Sequence, residues 1–211
     1  MKYTKFGLSF FLFVCTSVII STPAKAYLSL AESGELIPKH GYQLGLETQA
    51  LTNLNSGLNL NLLLDAPVND STTARLQLGG GSVDFNAFAS LKWMPFPDVD
   101  NQPAMGLRFG AGFARDENQN FVQAQVAPLI SKKYEVEYGM TVPYFALPFT
   151  LINNKDETFV ATNVTVGSEF QHREWKTFTV GGEIGLDLNK SWSYVSLFAK
   201  FPFESSKGFG K

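Results

Sequence analysis

Few residues in this chain offer chemistry. His40 and His172 are its two histidines. Hydrolytic catalysis needs an imidazole within hydrogen-bond reach of a nucleophile and of an orienting carboxylate. Both histidines instead fall in turn-like stretches beside Lys39 or Arg173. They read as solvated turn residues, and no enzyme is expected. Asp98-Val99-Asp100-Asn101 spaces its carboxylates like the start of a calcium loop. It lacks the glycine and the distal bidentate acid of such a loop. Pro95 and Pro97 beside it indicate a rigid turn, so neither a metal nor a cofactor is expected.

One larger constellation depends on how the chain folds. Arg75, Lys92, Arg108 and Lys200 occur on the same strand parity as Glu47, Asp65, Glu135, Glu137, Glu169, Glu183 and Asp187. If that parity faces a narrow lumen, the charges must pair, because isolated buried charges are costly. The elements that would position them are read from periodicity. In residues 178–188, FTVGGEIGLDL, Phe178, Val180, Ile184, Leu186 and Leu188 share one parity. Gly181, Glu183, Gly185 and Asp187 share the other. A side-chain period of two belongs to a β-strand.

The same alternation recurs over residues 42–50, 58–65, 73–78, 83–94, 104–114, 121–127, 134–142, 158–170 and 192–203. Leu63 breaks it, and Pro143 marks a bulge or early strand end. That makes about ten strands, with eight to twelve as the range, each near the length a tilted transmembrane strand needs. Short links make sequential neighbours antiparallel hairpins. The fold class is therefore all-β. Residues 147–157 read as the longest loop, apolar and then charged. Residues 128–133 read as a connection. Ser29 to Glu35 reads as a short helical turn within an aperiodic lead-in, 27–41.

Composition excludes several classes. With 17 Lys and Arg against 19 Asp and Glu, net charge is −2 and there is no electrostatic case for nucleic acid. Charged residues make up 17%, below the roughly 25% of soluble domains. Residues 1–26 have the three parts of a secretory signal: Lys2 and Lys5, an apolar run from Phe6 to Ile20, and Ala24-Lys25-Ala26 as the cleavage site. Cys15 is the one cysteine and lies inside that leader. The mature chain would then have no thiol chemistry.

The two faces differ in kind. The polar parity is poor in charge and rich in Gly, Ser, Thr, Asn and Gln, whereas a soluble calyx carries Lys and Glu outside every strand. That suits lipid outside and a crowded polar lumen inside. Tyr42, Trp93, Tyr134, Tyr144, Phe159, Trp175, Trp192 and Phe203 lie near strand ends, where interfacial girdles sit.

With a leader, an even strand count and alternating faces over 42–203, the chain resembles the small single-chain outer-membrane β-barrel proteins of Gram-negative bacteria. The resemblance implies an antiparallel up-and-down transmembrane barrel with both termini periplasmic. Its implied partners are outer-membrane lipid and the barrel-assembly machinery. The chain departs from that family by continuing past Phe203 into a tail, 204–211, rather than ending on an aromatic residue. The expected role is structural, or narrow-channel transport of small solutes through a porin-like, charge-paired lumen. The alternative is a soluble periplasmic or secreted β-barrel or sandwich acting as a binding module.

Overall fold

The computed structural model describes residues 28–53, 56–117, 119–175 and 178–204, and the backbone of Gly208–Phe209. The expected leader and Cys15 lie outside the described residues. Thirteen strands follow one another: β1 (Gly41–Leu51), β2 (Gly57–Asn69), β3 (Thr72–Gly81), β4 (Phe85–Phe96), β5 (Ala104–Asp116), β6 (Gln119–Ser131), β7 (Tyr134–Val136), β8 (Gly139–Ala146), β9 (Phe149–Asn153), β10 (Thr158–His172), β11 (Thr179–Asn189), β12 (Tyr194–Glu204) and β13 (Gly208–Phe209).

Every neighbour pair is antiparallel, and β12 returns to pair with β1 from Gly41↔Glu204 to Leu51↔Tyr194. β8 and β9 share one position in the wall, both bridging β6 and β10. The result is the all-β closed antiparallel barrel expected from sequence, with ten wall positions. Closure leaves no edge of unpaired backbone groups along the wall.

Side-chain parity sorts the two faces. Leu60, Leu62, Phe109, Val126, Ile184 and Leu197 point outward and are exposed. Gln49, Asn59, Gln77, Gln123, Thr165 and Ser196 point inward and are buried. This reverses the usual soluble arrangement, with apolar side chains inside, and it gives the barrel the apolar exterior of small outer-membrane β-barrels. Leu63, which breaks the polar parity, does face inward and packs with Ala31 and Phe198.

Several expectations are corrected. Residues 134–142 are not one strand but the hairpin β7–β8, turning at Glu137-Tyr138. That turn carries none of the Gly or Asn signals of a tight hairpin, so parity ran through it unmarked. Strand β8 continues through Pro143 to Ala146. Residues 147–157 are not a loop, because Phe149–Asn153 is drawn into the wall by the ladders of β6 and β10. Residues 128–131 belong to β6, not to a connection. Two prolines, Pro128 and Pro148, fall at the same interruption. There β6 leaves β9 after Val126 and joins β8 from Leu129, with Leu147 N–H donating to Pro128 O across the gap. Pro67 and Pro95 lie within register shifts, where a missing donor costs least.

Three of the aromatics assigned to the girdle, Tyr144, Phe159 and Trp192, are buried inside the barrel. Val83 is buried as well. Leu51, Val83, Phe121, Ile152, Phe159 and Trp192 form an apolar cluster. It lies at the distal end of the lumen, opposite the end that carries the lead-in.

Small residues set where inward rings lie. A Cβ at Gly185 would fall 2.1 Å from Tyr194, one at Gly181 2.2 Å from Phe198, and one at Gly167 2.3 Å from Tyr144. Each ring lies across a glycine of the adjacent strand. The space beside Glu183 at Gly181 and Gly185 is thus filled by aromatic rings. Replacing Gly185 by Val should force Tyr194 from its position and cost about 1–3 kcal/mol. Urea unfolding in detergent micelles should show this as a lower midpoint with the slope unchanged.

Candidate functional site: the lumen and its strap

The lead-in 27–41 reads from sequence as aperiodic, with a short helical turn at Ser29 to Glu35. Its residues 28–34 are buried inside the barrel, and they form no helix. We call 28–40 the strap. It has no strand ladder of its own, so side chains of the wall must satisfy its backbone. Leu30 O and Ala31 O accept from Arg75, Ser33 O and Glu35 O accept from Lys92, and Ser29 O accepts from Arg108. Ser33 N–H donates to Glu169 and Gly34 N–H donates to Ser131 Oγ.

Glu32 is the strap's anchor. Its carboxylate lies 3.1 Å from Arg108 Nε, 3.3 Å from Lys92 Nζ and 3.7 Å from Arg75 Nη2, with all four side chains nearly inaccessible. Arg75 also forks onto Asp65, with Nε and Nη2 each donating to one carboxylate oxygen. Such bidentate pairs are the strongest of the charge-assisted kind. Arg108 lies over the Phe88 ring at 5.3 Å. Lys200 donates to Glu169.

Glu183 meets neither Arg108 nor Lys200 through a hydrogen bond or ion pair. Its oxygens accept Leu30 N–H at 2.9 Å, Ala31 N–H at 2.7 Å, Tyr144 O–H at 2.6 Å and Tyr194 O–H. Successive amides aimed at one carboxylate form a small anion-binding nest, which needs a left-handed residue. Ala31 supplies it, with φ of 47°. For a residue with a Cβ that conformation costs of order 1–2 kcal/mol. Glu47 is held by neutral donors alone among the described residues, Asn61 Nδ2 and Ser196 Oγ.

Of the charged residues singled out from sequence, the barrel therefore brings Glu47, Asp65, Arg75, Lys92, Arg108, Glu169, Glu183 and Lys200 together inside. Glu135 and Glu137 are not in the lumen. They are exposed on the β7–β8 hairpin, because the turn carries that segment beyond the wall. Asp187 is also exposed, at the distal rim, where it accepts Ser191 N–H. Glu32, Ser33, Ser131, Tyr144 and Tyr194 were missed. Nothing in an aperiodic stretch marks it as lumen filling, and Tyr144 and Tyr194 looked like interfacial or ordinary strand aromatics.

Asp98, considered above as a calcium ligand, is engaged elsewhere. It takes the ammonium of Lys132 and, at 2.7 Å, the Lys133 N–H. The Lys132 hydrogen bond, followed by that backbone amide, holds its carboxyl below the ordinary value. No group of three or more metal-ligating side chains is assembled among the described residues.

No family model matches the chain, and neither does any curated protein. Among solved structures it is similar to a de novo designed transmembrane β-barrel, at 11% identity and a TM-score of 0.41, covering 80% of this chain and 100% of that one. It is also similar to a loop L8 deletion mutant of OmpT, an outer membrane protein of Vibrio cholerae. That match has 10% identity and a TM-score of 0.37, covering 77% of this chain and 98% of the other. These scores carry no functional inference.

Glu32→Ala should cost about 3–5 kcal/mol, because it strands Arg108 and Lys92 without their buried carboxylate. Limited proteolysis should then cut within 28–40 while the wall stays intact. The Asp98 clasp behaves differently with pH. A depressed carboxyl contributes stability that is present above its unfolded value and lost as pH falls through its folded one. The Lys133 amide should stay protected from hydrogen exchange through the ordinary carboxylate range and lose protection only below it. In Asp98→Asn it should exchange faster at neutral pH.

Proposed function

We propose that this chain is exported, loses residues 1–26, and inserts in the bacterial outer membrane as a sealed barrel with a structural role. The observation that carries the reading is the buried strap. Ten strands enclose more space than the eight that side chains alone fill, and residues 28–34 take up that excess. Two further barriers lie in series with it. A layer of Gln and Asn side chains crosses the middle of the lumen, and the apolar cluster around Phe121 and Trp192 caps the distal end. With the termini periplasmic, the cap faces outward and the strap faces the periplasm.

The outward Leu, Val and Phe band supports a membrane location, since an exposed apolar surface of that extent is unfavourable in water. Narrow-channel transport is the weaker reading, because solutes would have to pass both the strap and the cap.

The mature chain should co-sediment with outer membranes and shift its gel mobility on heating. Recovery as a detergent-free periplasmic monomer would overturn the location. Folded protein in a planar bilayer should give no unitary ion current. A stable, ion-selective conductance from the wild type would replace the sealed reading with the channel.

A further inference from the structure

We propose that the cavity between the strap and the wall at the proximal end binds a small amphiphile with one anionic head, a linear monocarboxylate. The cavity measures about 580 Å³, within the roughly 300–1,000 Å³ of small-molecule sites. Its apolar lining includes Ile37 and Pro38 of the strap and Tyr42, Val142 and Phe203 of the wall. Its floor is polar and includes Thr73 and Lys200 beside Asp65, Arg75 and Glu169. A ligand filling both regions has a polar head pointing inward and an apolar tail at the mouth.

The groups left unspent on the floor decide the head. Thr73 is 2% exposed, yet its hydroxyl has no hydrogen-bond partner. An ammonium carries three N–H donors, and that of Lys200 makes one hydrogen bond among the described residues, to Glu169. The two floor acids have protein partners. Asp65 receives both arms of the Arg75 fork, and Glu169 Oε1 receives Lys200 and Ser33 N–H. A buried donor without a partner costs more than a spare lone pair, so the incoming head must accept hydrogen bonds. Beside Lys200, Arg75 and Lys92 a negative acceptor gains most, through charge-assisted bonds. A cationic head would meet Lys200, Arg75 and Lys92, while the carboxylates of Asp65, Glu169 and Glu35 in the same lining already pair with protein cations.

This site differs from the sealed distal lumen and does not require transport. Hexanoate is a suitable probe, because it is soluble enough to be titrated against the protein in nanodiscs of zwitterionic lipid. Carboxyl-labelled hexanoate, followed by NMR line broadening, should bind saturably, whereas hexyltrimethylammonium should not. Thr73→Val keeps the side-chain shape and removes a hydroxyl that has no protein partner, so the barrel should fold normally. It should weaken hexanoate binding by about tenfold. Lys200→Met should abolish binding, with an unchanged heat-modifiable gel shift as the check on folding. Non-saturable uptake, equal binding of the cation, or wild-type affinity in folded Thr73→Val would each overturn the proposal.

Discussion

The rest of this structure depends on the pairing of Glu32 with Arg75, Lys92 and Arg108. A ten-position wall with polar residues inside has too wide an interior for its own side chains to fill, and too many buried charges to leave unpaired. One carboxylate on a segment with no secondary structure addresses both. It brings backbone into the lumen, where Ser29, Leu30, Ala31, Ser33 and Glu35 offer carbonyls to the same three cations. The cations are thus satisfied by two kinds of acceptor at once. Buried ion pairs of this sort add little net stability over an apolar filling. What they supply here is position, since no other place in the barrel offers Glu32 three cations.

A second device anchors the strap from the opposite side. Glu183 binds the amides of Leu30 and Ala31 while Tyr144 and Tyr194 donate to the same carboxylate. Those tyrosines reach it because their rings lie flat over Gly167 and Gly185. Small residues in the wall, aromatic rings across them and a central acid form one arrangement, and the left-handed Ala31 is its local cost. That strain persists because carboxylate, amides and hydroxyls together over-determine the conformation.

These layers give the barrel polarity along its axis. The distal end holds the apolar cluster, the middle buried Gln and Asn side chains, and the proximal half the strap and its ions. The proximal side keeps a cavity of ligand size, bounded by the strap itself.

Parity was legible wherever a strand ran uninterrupted, because alternation is a local consequence of backbone pleating. It placed Ile184 and Leu186 outside and Glu183 inside without reference to any partner. It could not see the turn at Glu137-Tyr138, which has no Gly or Asn to announce it, and so it wrongly put Glu135 and Glu137 in the lumen. It read residues 147–157 as a loop, although two neighbouring ladders carry the wall on through β9. The sequence by itself determined an all-β chain with one face for lipid and one for polar contents, since strand period and face composition are local properties. Only the tertiary structure decided what fills the interior. The strap's place is set by charges that lie 43 to 151 positions away from Glu32 along the chain, and no periodicity of its own records them.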